Sequence, residues 1–133
     1  MDNHDPEFLK KAAEARARIR QAAPEMIDAR RAARTIAPGE VSPAAQVILD
    51  VRRAADHAAS NEALPGAIWK NPDAIDTWID AIPRNQDVVL YCVRGGAVSN
   101  AIVDALRAAG VRARFIEGGF EAWKAAGGRP VAK

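Results

Sequence analysis

Cys92 is the residue of this chain best suited to covalent chemistry. It closes the apolar run Val88-Val89-Leu90-Tyr91 and is followed by Val93-Arg94-Gly95-Gly96-Ala97 before a helical pattern begins at Val98. A strand ending in a thiol, then a glycine-containing loop, then a helix is an arrangement that turns a side chain toward a small ligand. Gly95 and Gly96 permit backbone angles closed to other residues, so the chain can wrap tightly. Successive N–H groups of such a loop can form an anion cradle, and the next helix adds the positive end of its dipole. Both features favour a thiolate and would hold an anionic sulfur species. Arg94 either adds charge at the mouth of the loop or faces solvent; its spacing is compatible with both. Free cysteines are often mere space-fillers, but a filler does not require a glycine loop behind it.

Other chemistries have little support. With one cysteine, no disulfide forms within the chain. His4 and His57 are far apart, each is expected at the surface, and no Cys/His spacing suits a metal. The 19 Lys and Arg residues are interspersed with 17 Asp and Glu, for a net charge of +2, which is not the basic stripe that nucleic-acid binding needs. No apolar run is long enough to span a membrane or serve as a signal peptide. A cytoplasmic location is expected, where a free thiol stays reduced.

The elements that must position Cys92 follow from periodicity. The 133 residues divide into an N-terminal helical extension, 1–40, and a catalytic domain, 41–133, separated near the loop Pro38-Gly39-Glu40-Val41-Ser42-Pro43. Asp5 to Ile36 reads as helix, broken near Pro24. Phe8, Ala12, Ala15, Ile19, Ala22 and Met26 share one face, which would pack on its own domain, on a twin subunit in a homodimer, or on a partner. Ser42 is placed to cap a short helix from Pro43. Beyond it, strands are predicted at Val47–Val51, Ala67–Trp69, Val88–Tyr91 and Ala113–Ile116. Helices are predicted at Arg53–Ser60, Pro72–Ile82, Val98–Ala109 (ended by Gly110) and Phe120–Ala126. Continuous apolar strands alternating with helices give an α/β fold, a central parallel sheet of about five strands with helices on both faces. In such sheets ligands collect at the carboxyl ends of strands, which points to Asp50, Cys92 and Glu117.

Four segments in order resemble the rhodanese family over about Val47 to Val131. They are Leu49-Asp50-Val51-Arg52, Leu64-Pro65-Gly66-Ala67-Ile68, Val88 to Cys92 with its loop, and Glu117-Gly118-Gly119-Phe120-Glu121-Ala122-Trp123. The resemblance implies a sulfurtransferase in which Cys92 takes a sulfane sulfur from a small donor such as thiosulfate. The resulting persulfide would then yield its sulfur to cyanide or a thiol, in two half-reactions that would need no metal or organic cofactor. The substrate loop would comprise Val93, Arg94, Gly95, Gly96, Ala97, Val98 and Ser99. Asp50 and Arg52 would support loop positions by polar contacts. Trp69, Trp78 and Trp123 would bury against the sheet.

The loop departs from the common single-domain pattern, in which four residues and then Arg and Ser follow the cysteine. Aligning Ser99 with that serine leaves Val93 to Ala97 as the loop, one residue longer, with Val98 in place of the arginine. Related cell-cycle phosphatases and arsenate reductases use a longer loop for a tetrahedral oxyanion, but with the arginine that Val98 cannot replace. A cysteine-based oxyanion enzyme is therefore the alternative, and a non-catalytic interaction module a further one. The Tyr-Cys-Val-x-Gly-x-x-Val-Ser pattern is similar to rhodanese domains found with bacterial chromate-resistance proteins.

Overall fold

The protein's structure, a computed structural model, describes residues 34–133. The expected helix of the N-terminal extension, with Phe8, Ile19 and Met26, lies outside the described residues apart from its last few positions.

Five short strands form the central sheet: β1 (Thr35–Ile36), β2 (Val47–Asp50), β4 (Ile68–Trp69), β5 (Asp87–Tyr91) and β6 (Arg112–Ile116). Their order is β1-β6-β5-β2-β4, and every neighbouring pair is parallel. β5 is the middle strand, with Val88, Val89, Leu90 and Tyr91 all essentially inaccessible. Burial on both faces explains the unbroken apolar run that marks it in the sequence. A separate antiparallel pair joins β3 (Glu62–Ala63) to β7 (Val131–Ala132).

The two sheet faces carry two cores. On one, Leu49, Val88, Leu90 and Phe115 pack against Ile102, Val103 and Leu106 of α2 (Ala97–Ala108) and against Ile75, Trp78 and Ile79. On the other, Ile48, Val89, Tyr91 and Ile116 pack against Phe120 and Trp123 of α3 (Gly119–Ala125). Helices thus cover both faces, as the alternation of elements predicts. The remaining helix, α1 (Ala54–Ala59), buries no residue. No helix of the described residues is long and apolar enough to cross a membrane.

α2 stops where Gly110 adopts a φ of +86°. Its N–H reaches the Arg107 carbonyl and the Val111 N–H reaches that of Leu106, a Schellman closure that delivers the chain straight into β6. Arg34 ties β1 to the same helix, donating to Asp104 Oδ1 at 2.6 Å and to the Asn100 carbonyl at 3.1 Å.

Several expectations are corrected. Thr35 and Ile36, read as the end of a helix, form edge strand β1 in register with Phe115 and Ile116. Two β-branched residues carry too short a pattern to announce a strand, and the pairing with β6 decides it. Pro72–Ile82 is not one α-helix but two 3-10 pieces, Pro72–Thr77 and Ile79–Ala81, with Ala74 at non-helical angles. The Asn71 side chain caps the first piece by accepting from Asp73 N–H, and the Trp78 indole N–H donates to the Asn71 carbonyl, drawing the segment tight. Ser42 caps no helix; Pro43 begins a turn, and the short 3-10 helix lies earlier, at Pro38–Glu40. The β3–β7 pair carried no periodic signal in the sequence.

Candidate active site

Cys92 is the first residue beyond β5, at the carboxyl end of the central strand, and is 7 % exposed. The chain leaves β2 toward β4 on one side and leaves β5 toward β6 on the other. The switch in direction opens a crevice between the carboxyl ends of β2 and β5, the place where ligands bind in open parallel sheets. Cys92 lies on one side of it and the segment Val51–Arg53 on the other.

The loop after Cys92 is shorter than its sequence suggested. Ala97 is already the first residue of α2, so the true loop is Val93–Gly96, and Ala97, Val98 and Ser99 form the first helical turn. This turn brings Ser99, which is wholly buried, back over the sulfur, and its Oγ donates to Cys92 Sγ at 3.0 Å. Val98 packs toward the core beneath α2. Arg94 is exposed. Among the described residues, no acceptor takes the backbone N–H groups of Val93, Arg94, Gly95 or Gly96.

The start of α3 holds the loop from behind. Phe120 N–H donates to the Cys92 carbonyl at 2.9 Å, and Glu121 N–H donates to the Val93 carbonyl at 3.1 Å. Gly119, at φ +68°, lies so close that a Cβ on it would stand 2.6 Å from Gly95 N and 2.7 Å from both Arg94 N and the Cys92 carbonyl oxygen. Gly118-Gly119 is therefore a seat for the cysteine loop, backbone against backbone. Of the strand-end residues singled out from the sequence, Glu117 is exposed and its N–H bonds to the Ile36 carbonyl.

Asp50 and Arg52 occupy the neighbouring strand end but make different contacts. Arg52 Nη2 lies 2.7 Å from Asp50 Oδ2, Nε lies 3.0 Å from Oδ1, and both side chains are 2 % exposed. Arg52 also donates to the Glu62 carbonyl at 2.9 Å and sits 4.9 Å over the Phe120 ring. Burial works to lower the Arg52 pKa, but its hydrogen bonds and attraction to Asp50 prevail and the net shift is upward. Tyr91, on the same face, is pushed well above the ordinary phenol range by burial, with the Asp50 charge adding to it. The structure thus does not bring Asp50 and Arg52 to the sulfur. Arg52 lies over the ring of Phe120, whose N–H holds the Cys92 carbonyl.

His57, expected as a plain surface residue, is partly buried. It stacks on Trp69 with ring centroids 4.5 Å apart, and its Nε2 lies 4.0 Å from Asp50 Oδ2. Burial lowers its pKa, against the pull of Asp50. Trp69 itself is only half-buried and donates its indole N–H to the Arg52 carbonyl, whereas Trp78 and Trp123 are buried as expected. Among the described residues, no group of three or more His, Cys, Asp or Glu gathers as a metal site.

One feature of the crevice was not legible from the sequence. A groove of about 380 Å³ runs beside the first turn of α2, lined by Arg53, Pro72, Asp73, Ala97, Val98 and Ala101 among others. Arg53 carried no motif signal, because the family-like segment ends at Arg52.

A parallel sheet with a buried thiol at the carboxyl end of its middle strand, seated on a Gly-Gly turn, defines a cysteine-centred α/β domain of the sulfurtransferase type. The chain belongs to the rhodanese-like domain family, whose pattern matches residues 11–126. The fold agrees with solved structures. A rhodanese-related protein from Thermoplasma volcanium is 22 % identical with a TM-score of 0.67, over 75 % of this chain and 99 % of that one. A full-length protein from Lactobacillus plantarum, also 22 % identical, superposes with a TM-score of 0.69 over 82 % of this chain and 95 % of its own. A rhodanese-like domain protein from Staphylococcus aureus is 27 % identical with a TM-score of 0.57, over 68 % and 90 % of the two chains. A tRNA 2-selenouridine synthase from Shewanella pealeana is 42 % identical over 50 residues, 38 % of this chain. The match spans only 14 % of that relative's length.

Proposed function

We propose that this chain is a sulfurtransferase that carries a sulfane sulfur as a persulfide on Cys92. The observation that carries the reading is the setting of that thiol. It ends the central strand, receives the Ser99 hydroxyl at 3.0 Å, and precedes a loop whose amides are uncommitted among the described residues. In the first half-reaction the Cys92 thiolate, its proton lost to solvent, attacks the outer sulfur of a donor such as thiosulfate. The donor's S–S bond breaks and sulfite leaves with the electron pair. In the second, cyanide or a thiolate attacks the outer sulfur of the persulfide, and the electron pair of the broken bond returns to Sγ. Donor and acceptor never need to meet, so ping-pong kinetics are expected. A cytoplasmic setting, which keeps the thiol reduced, belongs to the same reading.

Val98 bears on the oxyanion alternative. It stands on the first turn of α2 and packs toward the core, so no guanidinium from that position meets a tetrahedral oxyanion. The short likeness to tRNA 2-selenouridine synthases favours a variant of the main reading, in which Cys92 accepts selenium as well as sulfur.

The test is direct. The purified chain is incubated with thiosulfate or a persulfide donor and weighed by mass spectrometry. A gain of one sulfur, absent in Cys92→Ser and removed by cyanide as thiocyanate, is the expected result. No adduct with any such donor, together with aryl phosphate turnover that vanishes in Cys92→Ser, would replace this reading with the oxyanion one.

A further inference from the structure

The first described residue stands at the rim of the groove beside α2. Arg34 is helical and buried, and its guanidinium is fixed on α2. Nη1 donates to Asp104 Oδ1 at 2.6 Å, and Nη2 donates to the carbonyl and to the side-chain oxygen of Asn100, each at 3.1 Å. Asn100 also lines the groove of about 380 Å³, together with the apolar Pro72, Ala97, Ala101 and Ile102. A space of that size suits a few side chains rather than a folded partner. Asp73 brings a carboxylate to the same groove, and Asp76 and Asp80 follow it on the two 3-10 pieces.

The 33 residues before Arg34 carry the complement of this surface. Phe8, Ala12, Ala15, Ile19, Ala22 and Met26 recur at spacings of three and four, the pattern of one apolar helix face. At the same helical spacing Lys11 and Arg18 border that face on one side and Arg16 on the other, so cations flank the apolar stripe. The segment is joined to the domain at Arg34, which raises its local concentration at the groove far above that of any second copy. Reach is ample: as helix, the stretch from Pro24 to Ala33 alone would span about 15 Å, and Pro24 lets the chain before it turn back. We infer that residues 8–26 dock, within the same chain, in the groove between α2 and the 3-10 pieces. Ile19 and its apolar neighbours enter the groove, and the bordering cations face Asp73, Asp76 and Asp80. The extension is then a wall of the domain, and no second chain is needed to cover α2. This docking is independent of the sulfur-transfer reading of Cys92.

The test uses the full chain with Cys92→Ser and Glu14→Cys, which leaves one thiol, on the polar side of the segment, to carry a nitroxide. In NMR spectra the nitroxide should broaden the Asp73, Ala97 and Ala101 amide signals when label and isotope are on one chain. The same signals should stay sharp when a labelled chain without isotope is mixed with an isotope-enriched chain without label. Broadening only in the mixture would assign the groove to a second copy, and no broadening in either sample would deny it this occupant; each overturns the inference. Tryptic cleavage reads the contact without a label. Ile19→Glu should raise cleavage after Arg16 and Arg18 roughly tenfold or more, because a buried side chain no longer holds the docked state. Asp73→Asn should raise it roughly two- to fivefold, as for a partly exposed ion pair. Cleavage after Arg84 and Arg107, inside the domain, should keep the parent's rate and so report that both variants are folded. Equal rates after Arg16 and Arg18 in the parent and in Ile19→Glu would refute the docking.

Discussion

The carboxyl ends of β2 and β5 are neighbours in the sheet, with Asp50 and Tyr91 in register, yet they use polar groups in opposite ways. At the end of β2 the charges are consumed. Arg52 meets Asp50 through both carboxylate oxygens, a backbone carbonyl takes another of its protons, and aromatic rings cover the guanidinium. At the end of β5 the groups are held back. The Cys92 thiol receives one hydroxyl, and the amides after it are unclaimed among the described residues. A fully satisfied buried pair contributes rigidity and has nothing left to offer a ligand. An underused loop, braced from behind by Gly118-Gly119, is free to bind something that arrives. Motif residues at strand ends are therefore not all site residues, and the number of internal partners separates the two kinds.

The strongest test of this contrast is Arg52→Met. It leaves Asp50 buried without its partner and should cost about 3–5 kcal/mol of stability, seen as a large drop in thermal midpoint. Adding Asp50→Leu should return most of the loss. A single variant as stable as the parent would mean that the pair is not structural.

Gly119→Ala probes the brace between the two regions. The added methyl meets backbone atoms of the cysteine loop at 2.6–2.7 Å on a residue with φ +68°. A loss of about 1–3 kcal/mol is expected from overpacking and backbone strain. The rate of sulfur loading on Cys92 should fall further than stability alone explains, because the loop itself is displaced. Unchanged loading kinetics in the folded variant would show that the seat does not shape the loop.

Ser99→Ala removes the one side-chain donor on the sulfur among the described residues. A neutral hydrogen bond contributes about 0.5–1.5 kcal/mol, so loading should slow roughly two- to tenfold while the thermal midpoint moves little. Stopped-flow mass or absorbance measurements of the first half-reaction would read it, and a stability loss without a rate loss would reassign Ser99 to packing.

His57 gives the smallest effect, and its sign follows from its shift. The folded-state pKa lies below the 6.5 of an exposed imidazole, because burial disfavours the charged form. Its neutral form is thus accommodated above that value, and stability is lost as pH falls through the lowered pKa. His57→Gln should flatten the decline of denaturant midpoints on the acid side of 6.5. A steeper decline in the variant would mean that the protonated ring is welcomed by Asp50 instead.

Much of this molecule was already determined along the chain. Val88 to Tyr91 is apolar at every position because the strand is covered on both faces, and that local fact marked β5, the placement of Cys92 and the parallel sheet. Gly110 marked the end of α2 because only glycine takes its backbone angle there without strain. The four family-like segments marked the rhodanese-like fold. Other features depended on residues far apart in sequence. Thr35-Ile36 became a strand only by pairing with Phe115-Ile116, some 80 residues on. The same holds for the site. Periodicity and glycine placement are local signals and were enough to find Cys92. Whether a charge is spent or available depends on which partner the tertiary fold brings to it, and so Arg52 proved to be consumed by Asp50 while the unmarked Arg53 lines the groove.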